Sequence, residues 1–368
     1  MNISFLISNL SGGGAERVCV ILANALSKLK WNVDVIVLTD TQSQNKQLLN
    51  DSINVISLNS CRARYAPLKL SKNLYTSAPD IVVTMNNEVL VAEYFANLLI
   101  PRSYILIHRC VTTLSSTVFQ TNYRRFAHLR YFFLKNILRS VDCIVSQCSS
   151  MKLDTNNELN ICSSRSLTIY NPVSFNPIIL NKVQTHDTPY ILLVGRLDFN
   201  KSFHLAIEAL AALPKEHSDV QLWIAGVGPC EHELFDLAKN YEISHRVKLL
   251  GFRNDLNHLY QNAVLVSLTS MFEGFPNVLL ESIVNGTPVV SLDCPNGPNE
   301  IVIDGVNGFL VKDRNVNALA TAYAKALKWV WDSNQIRQTA NRFAEECIVK
   351  KWDALFRNLL DLHVSKHA

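Results

Sequence analysis

The chain of 368 residues lacks the features that would place it in a membrane, in the secretory pathway or around a metal. No apolar run reaches the roughly 20 residues that a helix needs to span a bilayer. The first residues follow a buried-strand pattern, without the basic start and small-residue cleavage site of a signal peptide. The nine cysteines include no Cys-x-x-Cys pair, so we expect reduced thiols, mostly in the core, and no metal site. These absences predict a cytoplasmic protein.

The charge is distributed unevenly along the chain. Residues 1–178 contain 17 Lys/Arg and 10 Asp/Glu, and residues 179–368 contain 18 and 21, so the two parts carry +7 and −3. The positive charge of the first part predicts an anionic partner there.

The length and the order of apolar segments predict two α/β domains, because 368 residues exceed one ordinary core. Short apolar strands alternate with helices in both halves, which is typical of doubly wound parallel sheets. The predicted strands are residues 3–8, 33–38, 54–58, 80–84, 104–107, 143–146, 190–194, 220–225, 247–250, 264–269, 289–292 and 309–311. We predict domains at 1–178 and 179–349, a polar linker up to Pro189, and a last segment, 350–368, with a helix over 350–363.

Two glutamates with seven residues between them are the most informative pair. Glu273 follows a strand-like run, and Glu281 lies where Pro276 and Gly286 predict the start and end of a helix. Ligands of open parallel sheets bind at the carboxyl ends of the strands. The two carboxylates could therefore hold hydroxyl groups at two ends of a nucleotide sugar. Alternatively, they are solvated surface glutamates, which are common.

A glycine-rich turn connects the first strand to the first helix. Gly12, Gly13 and Gly14 leave no Cβ in the turn, so backbone N–H groups and the helix dipole could approach a phosphate. Such turns also simply let a helix pack on its sheet. The third glycine of the dinucleotide fingerprint is missing, which argues against NAD and FAD.

A basic pair follows the first strand of the second domain. Arg196 offers a planar fork of donors and Lys201 a compact charge, and together they could neutralise a leaving diphosphate. The alternative is a solvated pair at a helix start, where the helix dipole disfavours cations. The turn at Gly226 is a weaker signal, and Glu300 either lines the site or caps the next helix.

These motifs, Gly-Gly-Gly-Ala-Glu-Arg, Gly-Arg-Leu-x3-Lys and Glu-x7-Glu, resemble in order and spacing the retaining glycosyltransferases of family 4 with the GT-B fold. The resemblance covers nearly the whole chain. It implies two Rossmann-like domains facing a central cleft, with the donor on the C-terminal domain and the acceptor on the N-terminal one. It also implies a last helix that crosses back onto the first domain, and metal-independent transfer. The absence of Asp-x-Asp agrees with the last point.

The resemblance also implies a role for individual residues. Arg196 and Lys201 would bind the donor diphosphate, Glu281 the ribose, and Glu273 the hydroxyls of the transferred sugar. His108 would lie near the anomeric carbon, and with Arg196, Lys201 and Glu273 it completes the catalytic set. The implied donor-binding set is Gly13, Gly14, Arg196, Lys201, Gly226, Glu273, Gly274, Phe275, Pro276, Asn277, Val278 and Glu281.

The resemblance favours a UDP-linked donor, because residues 294–300 are similar to stretches in relatives that use UDP-hexoses and UDP-N-acetylhexosamines. The expected reaction moves such a sugar to a glycan acceptor, preferably lipid-linked, with formation of an α-glycosidic bond and no cofactor. Two alternatives remain at this point: a nucleotide-sugar 2-epimerase of the same fold, and a non-catalytic sugar-nucleotide-binding subunit.

Residues 123–139 alternate basic and aromatic side chains at helical spacing, and Arg62, Arg64, Lys69 and Lys72 form a second basic cluster. Such a helix can lie on an anionic bilayer. Alternatively, its aromatic face belongs to the core and its arginines are solvated. We expect peripheral contact at the inner face of the cytoplasmic membrane and no nucleic-acid partner.

Overall fold

The computed structural model describes residues 1–11, 13–39, 44–115, 124–174 and 188–367. They form two compact units: unit 1 is Met1–Pro172 with Glu345–Ala368, and unit 2 is Val173–Ala344. Val173 bridges to Ala344, so the two ends of unit 2 lie side by side. This pairing places the unit boundaries a few residues before the predicted positions 178/179 and 349/350. Most of the predicted linker, like Gly12, lies outside the described residues.

Each unit contains one parallel sheet, and every strand pair in the described residues is parallel. The strands are β1 (Asn2–Ile7), β2 (Asn32–Val37), β3 (Asn54–Ser57), β4 (Ile81–Thr84), β5 (Ile105–Arg109), β6 (Cys143–Ser146), β7 (Ser166–Thr168), β8 (Tyr190–Val194), β9 (Gln221–Ala225), β10 (Val247–Gly251), β11 (Leu265–Leu268), β12 (Val289–Leu292) and β13 (Gly308–Val311). All twelve predicted strands are present, and β7 is an addition.

Helices connect most of the strands. They are α1 (Gly14–Lys28), α2 (Pro67–Ser77), α3 (Asn87–Asn97), α4 (Arg124–Arg139), α5 (Ser149–Leu159), α6 (Phe203–Ala211), α7 (Glu231–Asn240), α8 (Leu256–Asn262), α9 (Asn277–Val284), α10 (Pro298–Ile301), α11 (Val316–Lys328), α12 (Ser333–Gln338) and α13 (Glu345–His367). Short 3-10 helices cover Gln44–Leu48, Ala63–Tyr65, Ser163–Arg165, Phe199–Lys201, Lys215–His217, Ser244–Arg246 and Asn341–Phe343.

The sheet of unit 1 has seven strands in the order β3-β2-β1-β4-β5-β6-β7. Strands β1, β4, β5 and β6 are mostly apolar and buried on both faces, as their continuous apolar runs predict. The last helix, α13, contributes Ile348, Trp352 and Phe356 to the same core. The indole of Trp31 donates to Asp353 Oδ1 at 2.7 Å, which fixes the helix against unit 1. The helix begins at Glu345, five residues before the predicted segment.

The sheet of unit 2 has six strands in the order β10-β9-β8-β11-β12-β13. The direction of winding reverses between β8 and β11, because β9 and β10 lie on one side and β12 and β13 on the other. The loops after these two strands therefore leave the sheet at neighbouring carboxyl ends, where α/β proteins place their ligands. The two doubly wound sheets confirm the predicted α/β class.

Candidate active site

The loops that follow β8 and β11 bring together two residues that are 72 positions apart in the sequence. Lys201 Nζ lies 2.6 Å from Glu273 Oε1, and the two side chains are only 20% and 13% exposed. Partial burial strengthens the attraction of such a pair relative to a pair in open water. Glu273 lies in the loop and Glu281 lies inside α9, as their positions in the sequence predict.

The loop that carries Lys201 is held by its own polar groups. Asp198 caps the 3-10 helix Phe199–Lys201, and its Oδ1 accepts the Lys201 N–H at 3.2 Å. Ser202 takes a left-handed conformation with φ 48° and begins the turn into α6. Thr269, directly after β11, donates from Oγ1 to the Lys201 carbonyl at 2.7 Å and so fixes the backbone of the lysine itself.

Two further residues, which were not predicted from the sequence, tie the two loops together. Asn200 Nδ2 donates to the Phe272 carbonyl at 3.1 Å, and Asn200 Oδ1 accepts the Phe272 N–H at 3.3 Å. Arg314, just after β13, donates to the Ser270 carbonyl at 2.7 Å and to Ser202 Oγ at 2.8 Å. Partial burial lowers the pKa of Arg314 from its usual value. These contacts hold the ion pair in one geometry before any ligand binds.

Arg196 differs from Lys201 in its exposure. Its Nε donates to Asp198 Oδ2 at 2.7 Å, while 76% of its side chain remains exposed. An exposed pair of this kind contributes little to stability. Arg196 is therefore a solvent-facing cation at the carboxyl edge of the sheet, held in direction by Asp198.

The turn at Gly226 has a clear packing function. Gly226 has φ 150°, and a Cβ there would overlap the Gly195 carbonyl oxygen. The neighbouring backbone is linked by Leu197 N–H to the Val227 carbonyl at 3.1 Å. The loops after β8 and β9 thus approach at backbone distance, which only glycine permits.

Glu281 is oriented by a buried tyrosine on the preceding helix. Tyr260, in α8, donates its hydroxyl to Glu281 Oε2 at 2.8 Å. Pro276 caps α9 and Gly286 follows it with φ 76°, as predicted for the start and end of this helix. Glu281 therefore has one carboxylate oxygen fixed by a partner that is fully buried.

The residues between the two glutamates are mostly packed. Phe275 and Pro276 are buried, and Phe275 contacts the Phe343 ring at 5.7 Å. Gly274, Asn277 and Val278 are half-buried. The side chain of Phe275 thus serves the core of unit 2, and a ligand contact in this stretch would use backbone N–H groups. Glu300 lies in the first turn of α10, whose N-cap residue is Gly297.

In unit 1, Gly13 caps α1 and Gly14 is its first residue. A Cβ at Gly13 would overlap the carboxylate of Glu16, which therefore lies against the start of the helix. A carboxylate at this position is itself stabilised by the helix dipole. The expected approach of a phosphate to these glycines would bring it near Glu16.

His108 is the second-last residue of β5, and its side chain is fully buried. Its Nδ1 lies 2.8 Å from Thr84 Oγ1, and its Nε2 lies 3.1 Å from Asn87 Oδ1. A neutral ring with its proton on Nε2 satisfies both contacts, since the Asn87 oxygen can only accept. Burial first, and then the charge of Arg109, lower the pKa of His108 to about 3. The ring is therefore neutral at ordinary pH.

Arg109 is a buried cation that was not predicted from the sequence. Its Nη2 donates to Asn171 Oδ1 at 2.6 Å, and Asn171 Nδ2 donates to Gln147 Oε1 at 2.9 Å. Gln147 in turn donates to the Cys110 carbonyl at 2.7 Å. Burial lowers the pKa of Arg109 to about 10, so it stays charged. This chain of hydrogen bonds joins the carboxyl ends of β5, β6 and β7.

Among the described residues, no three His, Cys, Asp or Glu side chains lie close enough together to hold a metal ion. All nine cysteines are free, and five of them are buried. Within the same described ranges, none of the helices combines the length and apolar character that crossing a bilayer requires.

Two family models match consecutive parts of the chain. The model "Glycosyltransferase Family 4" matches residues 12–176, and the model "Glycosyl transferases group 1" matches residues 177–343. The second match contains Arg196, Lys201, Glu273 and Glu281.

Two of the relatives match over nearly their whole length. A glycosyltransferase of Haemophilus influenzae without an assigned substrate is 25% identical over 96% of this chain and 99% of its own. N-acetylgalactosamine-N,N'-diacetylbacillosaminyl-diphospho-undecaprenol 4-alpha-N-acetylgalactosaminyltransferase of Campylobacter jejuni is 28% identical over 91% of this chain and 92% of its own.

Solved structures confirm the GT-B fold. The lipopolysaccharide outer core galactosyltransferase WaaB, in its apo form, has a TM-score of 0.75 at 22% identity, covering 97% of this chain and 100% of its own. Anabaena HepE in complex with UDP and glucose has a TM-score of 0.80 at 21% identity, with the same coverage. Because the two family models together match residues 12–343, the chain belongs to the glycosyltransferases that join a Family 4 part to a group 1 part.

Proposed function

We propose that this glycosyltransferase moves a hexose or N-acetylhexosamine from a UDP-sugar to a lipid-linked glycan, with retention and formation of an α-bond. The names of two Campylobacter jejuni relatives support the acceptor and the linkage, since both describe α-N-acetylgalactosaminyl transfer to glycans on diphospho-undecaprenol or PP-undecaprenol. The complexes of HepE with UDP and with UDP-glucose support the donor.

The observation that carries the proposal is the ion pair between Lys201 and Glu273 at the reversal of the sheet. Lys201, with the exposed Arg196, would bind the donor diphosphate and neutralise the charge that builds on it as it leaves the sugar. Glu273 would then accept hydrogen bonds from the hydroxyls of the transferred sugar. The contact of 2.6 Å between Nζ and Oε1 holds the two side chains of the pair in place.

Glu281 would bind the ribose. A carboxylate has about four lone-pair positions, and Tyr260 uses one of them on Oε2. The two oxygens of one carboxylate suit two neighbouring hydroxyls of a ribose. The hydroxyl of Tyr260 fixes the carboxylate, so that this acceptor is oriented before the nucleotide binds.

His108 would act by position rather than by proton transfer. Its neutral ring already donates from Nε2 to Asn87 and accepts at Nδ1 from Thr84. A group whose pKa is held near 3 is a poor base at neutral pH. We assign it the task of fixing the end of β5, near the acceptor and the sugar.

The positive charges of Lys201 and Arg196 also support transfer without a metal ion. A divalent ion would neutralise the diphosphate in a metal-dependent enzyme. Here Lys201 and Arg196 supply positive charge at the carboxyl edge of unit 2, and Arg314 fixes the loops that carry them.

The surface of unit 1 supports peripheral binding to an anionic membrane at the cytoplasmic face. Leu129 and Phe132 of α4 are 65% and 62% exposed, although Leu134, Ile137 and Leu138 of the same helix are buried. The opposite face of the helix therefore packs on the core, and the Phe132 ring lies outside the core.

The exposed apolar surface continues onto α3. Phe133 stacks on Phe95 of α3 with ring centroids 5.8 Å apart, which extends this surface toward the exposed leucines Leu98 and Leu99. Basic residues beside apolar ones suit an anionic bilayer.

Incubation of the purified protein with a panel of UDP- and GDP-sugars tests the proposal, with and without lipid-linked acceptors, in excess chelator. We expect a new α-linked glycan from a UDP-sugar, at a rate that the chelator does not change. Epimerised free donor, transfer only from a GDP-sugar, or activity that returns only with Mg²⁺ or Mn²⁺ would each contradict it.

A further inference from the structure

Unit 2 contains a cavity of about 410 Å³ at the amino-terminal edge of its sheet. Its walls come from the segments that lead into β8, β9, β11 and β12, together with the end of α11 and the residues that follow it. Lys201 and Glu273 follow the carboxyl ends of β8 and β11, so this cavity is at the opposite edge of the same sheet. A volume of this size falls within the range of small-molecule sites in proteins.

Two tryptophans supply an apolar wall. Trp329, which is 43% exposed, and Trp331 line the cavity with ring centroids 6.0 Å apart. Both rings pack against Phe309, at 5.3 and 5.4 Å, so their orientation is fixed. The Trp331 indole already donates to the Ala326 carbonyl at 2.9 Å. It therefore offers its carbon surface, and not its N–H, to a ligand.

Polar side chains that lack a hydrogen-bond partner among the described residues supply the other walls. Asp219, Gln261 and Ser333 line the cavity, and their side chains make no hydrogen bond with the described part of the chain. The Nε2 atom of His217 is buried without a hydrogen-bond partner among the described residues, and lies 3.8 Å from Glu216 Oε1. A carboxylate accepts hydrogen bonds, whereas an amide and a hydroxyl each donate and accept them.

The charges of the residues that line the cavity indicate which class of ligand it can bind. Glu216 and Asp219 are acidic, and no lysine or arginine lines the cavity. Lys328 stays outside the lining and pairs with Glu216 at 2.7 Å. Lys328 and Arg246, which do not line the cavity, balance the charges of Glu216 and Asp219, so the lining favours a neutral ligand over a phosphate. A neutral sugar ring fits, because it has an apolar C–H face for tryptophan and hydroxyls for the carboxylate and the amide.

We propose that this cavity is a second carbohydrate site, which binds a neutral glycan apart from the transfer site. The proposal deepens the proposed function, since a glycan is the acceptor and the product of the reaction. Binding at the far edge of the sheet would keep a glycan on the enzyme while the donor site turns over.

The test measures binding of hexose and N-acetylhexosamine oligosaccharides of one to four units to the whole protein, by calorimetry in saturating UDP. We expect binding that UDP does not displace. Asp219→Asn combined with Gln261→Ala should weaken it about tenfold, the change expected for loss of one hydrogen bond to a charged group. Asp313→Asn, an exposed carboxylate of unit 2 outside the cavity, is the matched control and should bind as the wild type does.

A Lys201→Ala variant separates this site from the transfer reaction. It should lose transfer and keep glycan binding, so loss of the proposed function would leave this measurement intact. The inference is overturned if no oligosaccharide of the panel binds the wild-type protein, or if the double variant binds them normally. Displacement of the glycan by UDP would also overturn it, because the ligand would then occupy the transfer site.

Discussion

At the scale of single residues, Glu273 and Glu281 have different surroundings, so substitution of each should have a different effect. Glu273 faces a lysine, and Glu281 faces a tyrosine hydroxyl. In the proposed complex, Lys201 binds the diphosphate and Glu273 binds the hydroxyls of the transferred sugar. Glu281 keeps Tyr260 and takes the ribose.

Substitution of each glutamate by glutamine separates these roles. Glu281→Gln should weaken the binding of free UDP by about tenfold, because one hydrogen bond to a charged acceptor is lost. Glu273→Gln should leave free UDP within twofold of the wild type and reduce kcat with the sugar donor. Calorimetry with UDP and steady-state kinetics measure the two effects, and Glu242→Gln, on the surface of unit 2, is the control. Equal losses of UDP affinity in both variants would contradict the assignment.

His108 should leave a signature in the pH dependence of stability. Its pKa is about 3 in the folded protein, below the usual value of about 6.5 that applies to the unfolded chain. The unfolded state thus binds a proton in this window that the folded state does not. The contribution of His108 is complete above about pH 6.5 and is lost, by roughly 1.4 kcal/mol per unit, as the pH falls toward 3.

Urea unfolding between pH 4.5 and 8, compared for the wild type and His108→Gln, measures this contribution. The free energy of unfolding of the wild type should fall more steeply below pH 6.5 than that of the variant. Parallel curves would show that the ring is protonated in the folded protein as readily as in the unfolded chain.

The residues that could be predicted are those with short-range patterns. Glu273, Glu281 and Lys201 stand beside strand ends and helix starts that the sequence reveals. Arg314, Tyr260 and Asn200 could not be predicted, because their partners lie 21 to 112 positions away along the chain. Only the strand order brings those partners together.

At the scale of elements, α13 shows how a distant segment completes a core. The helix follows unit 2 in the sequence but packs in unit 1, where Trp352 is almost fully buried beside Phe356 at 5.5 Å. Its apolar spacing is visible in the sequence. Its first turn, with Glu345 and Glu346, is polar, and this explains why the helix starts earlier than the predicted segment.

Trp352→Ala should lower the free energy of unfolding of unit 1 by about 3–5 kcal/mol, since a large side chain is removed from a packed core. Leu362→Ala, on the exposed part of the same helix, should change it by less than about 0.5 kcal/mol. Chemical denaturation followed by tryptophan fluorescence and by circular dichroism measures both. Similar stability of the two variants would show that α13 adds little to unit 1.

The surface of α4 gives a second prediction at this scale. Leu129→Ser with Phe132→Ser should release the protein from vesicles that contain anionic lipid, because both side chains are exposed and basic residues flank them. Binding of the wild type should also weaken with salt, as each basic residue near the surface contributes roughly 1 kcal/mol. Phe235→Ser, an exposed aromatic of unit 2, is the control in co-sedimentation. Failure of the wild type to bind at low salt would remove the membrane claim and favour a soluble acceptor.

The strands were predictable because parallel strands buried on both faces are continuous apolar runs. The exception is β7, whose three residues Ser-Leu-Thr carry no such signal. The edge strand exists because β6 provides its partner, with Val145 opposite Leu167. Tertiary pairing, and not local propensity, defines it.

At the scale of the whole molecule, each unit carries two groups of residues with different proposed functions, and they lie at different places on its sheet and helices. In unit 2, the carboxyl edge carries the cations and carboxylates of the proposed donor site, and the amino-terminal edge carries the aromatic cavity. In unit 1, the carboxyl edge carries His108 and the buried chain from Arg109, and the helical surface carries the exposed apolar residues. The alternation of strands and helices in the sequence predicts the two sheets and therefore their edges. The cavity could not be predicted, because its walls come from five separate segments.

The central claim is that the carboxyl edge of unit 2 binds the donor diphosphate and stabilises its departure. The most direct measurement is kcat for sugar transfer by Lys201→Ala and Arg196→Ala, with thermal unfolding as the control for folding. Loss of one such donor typically lowers the rate on the order of 10²–10³-fold. We predict a loss of that size in each variant with an unchanged unfolding temperature. Turnover equal to the wild type in either folded variant would contradict the account.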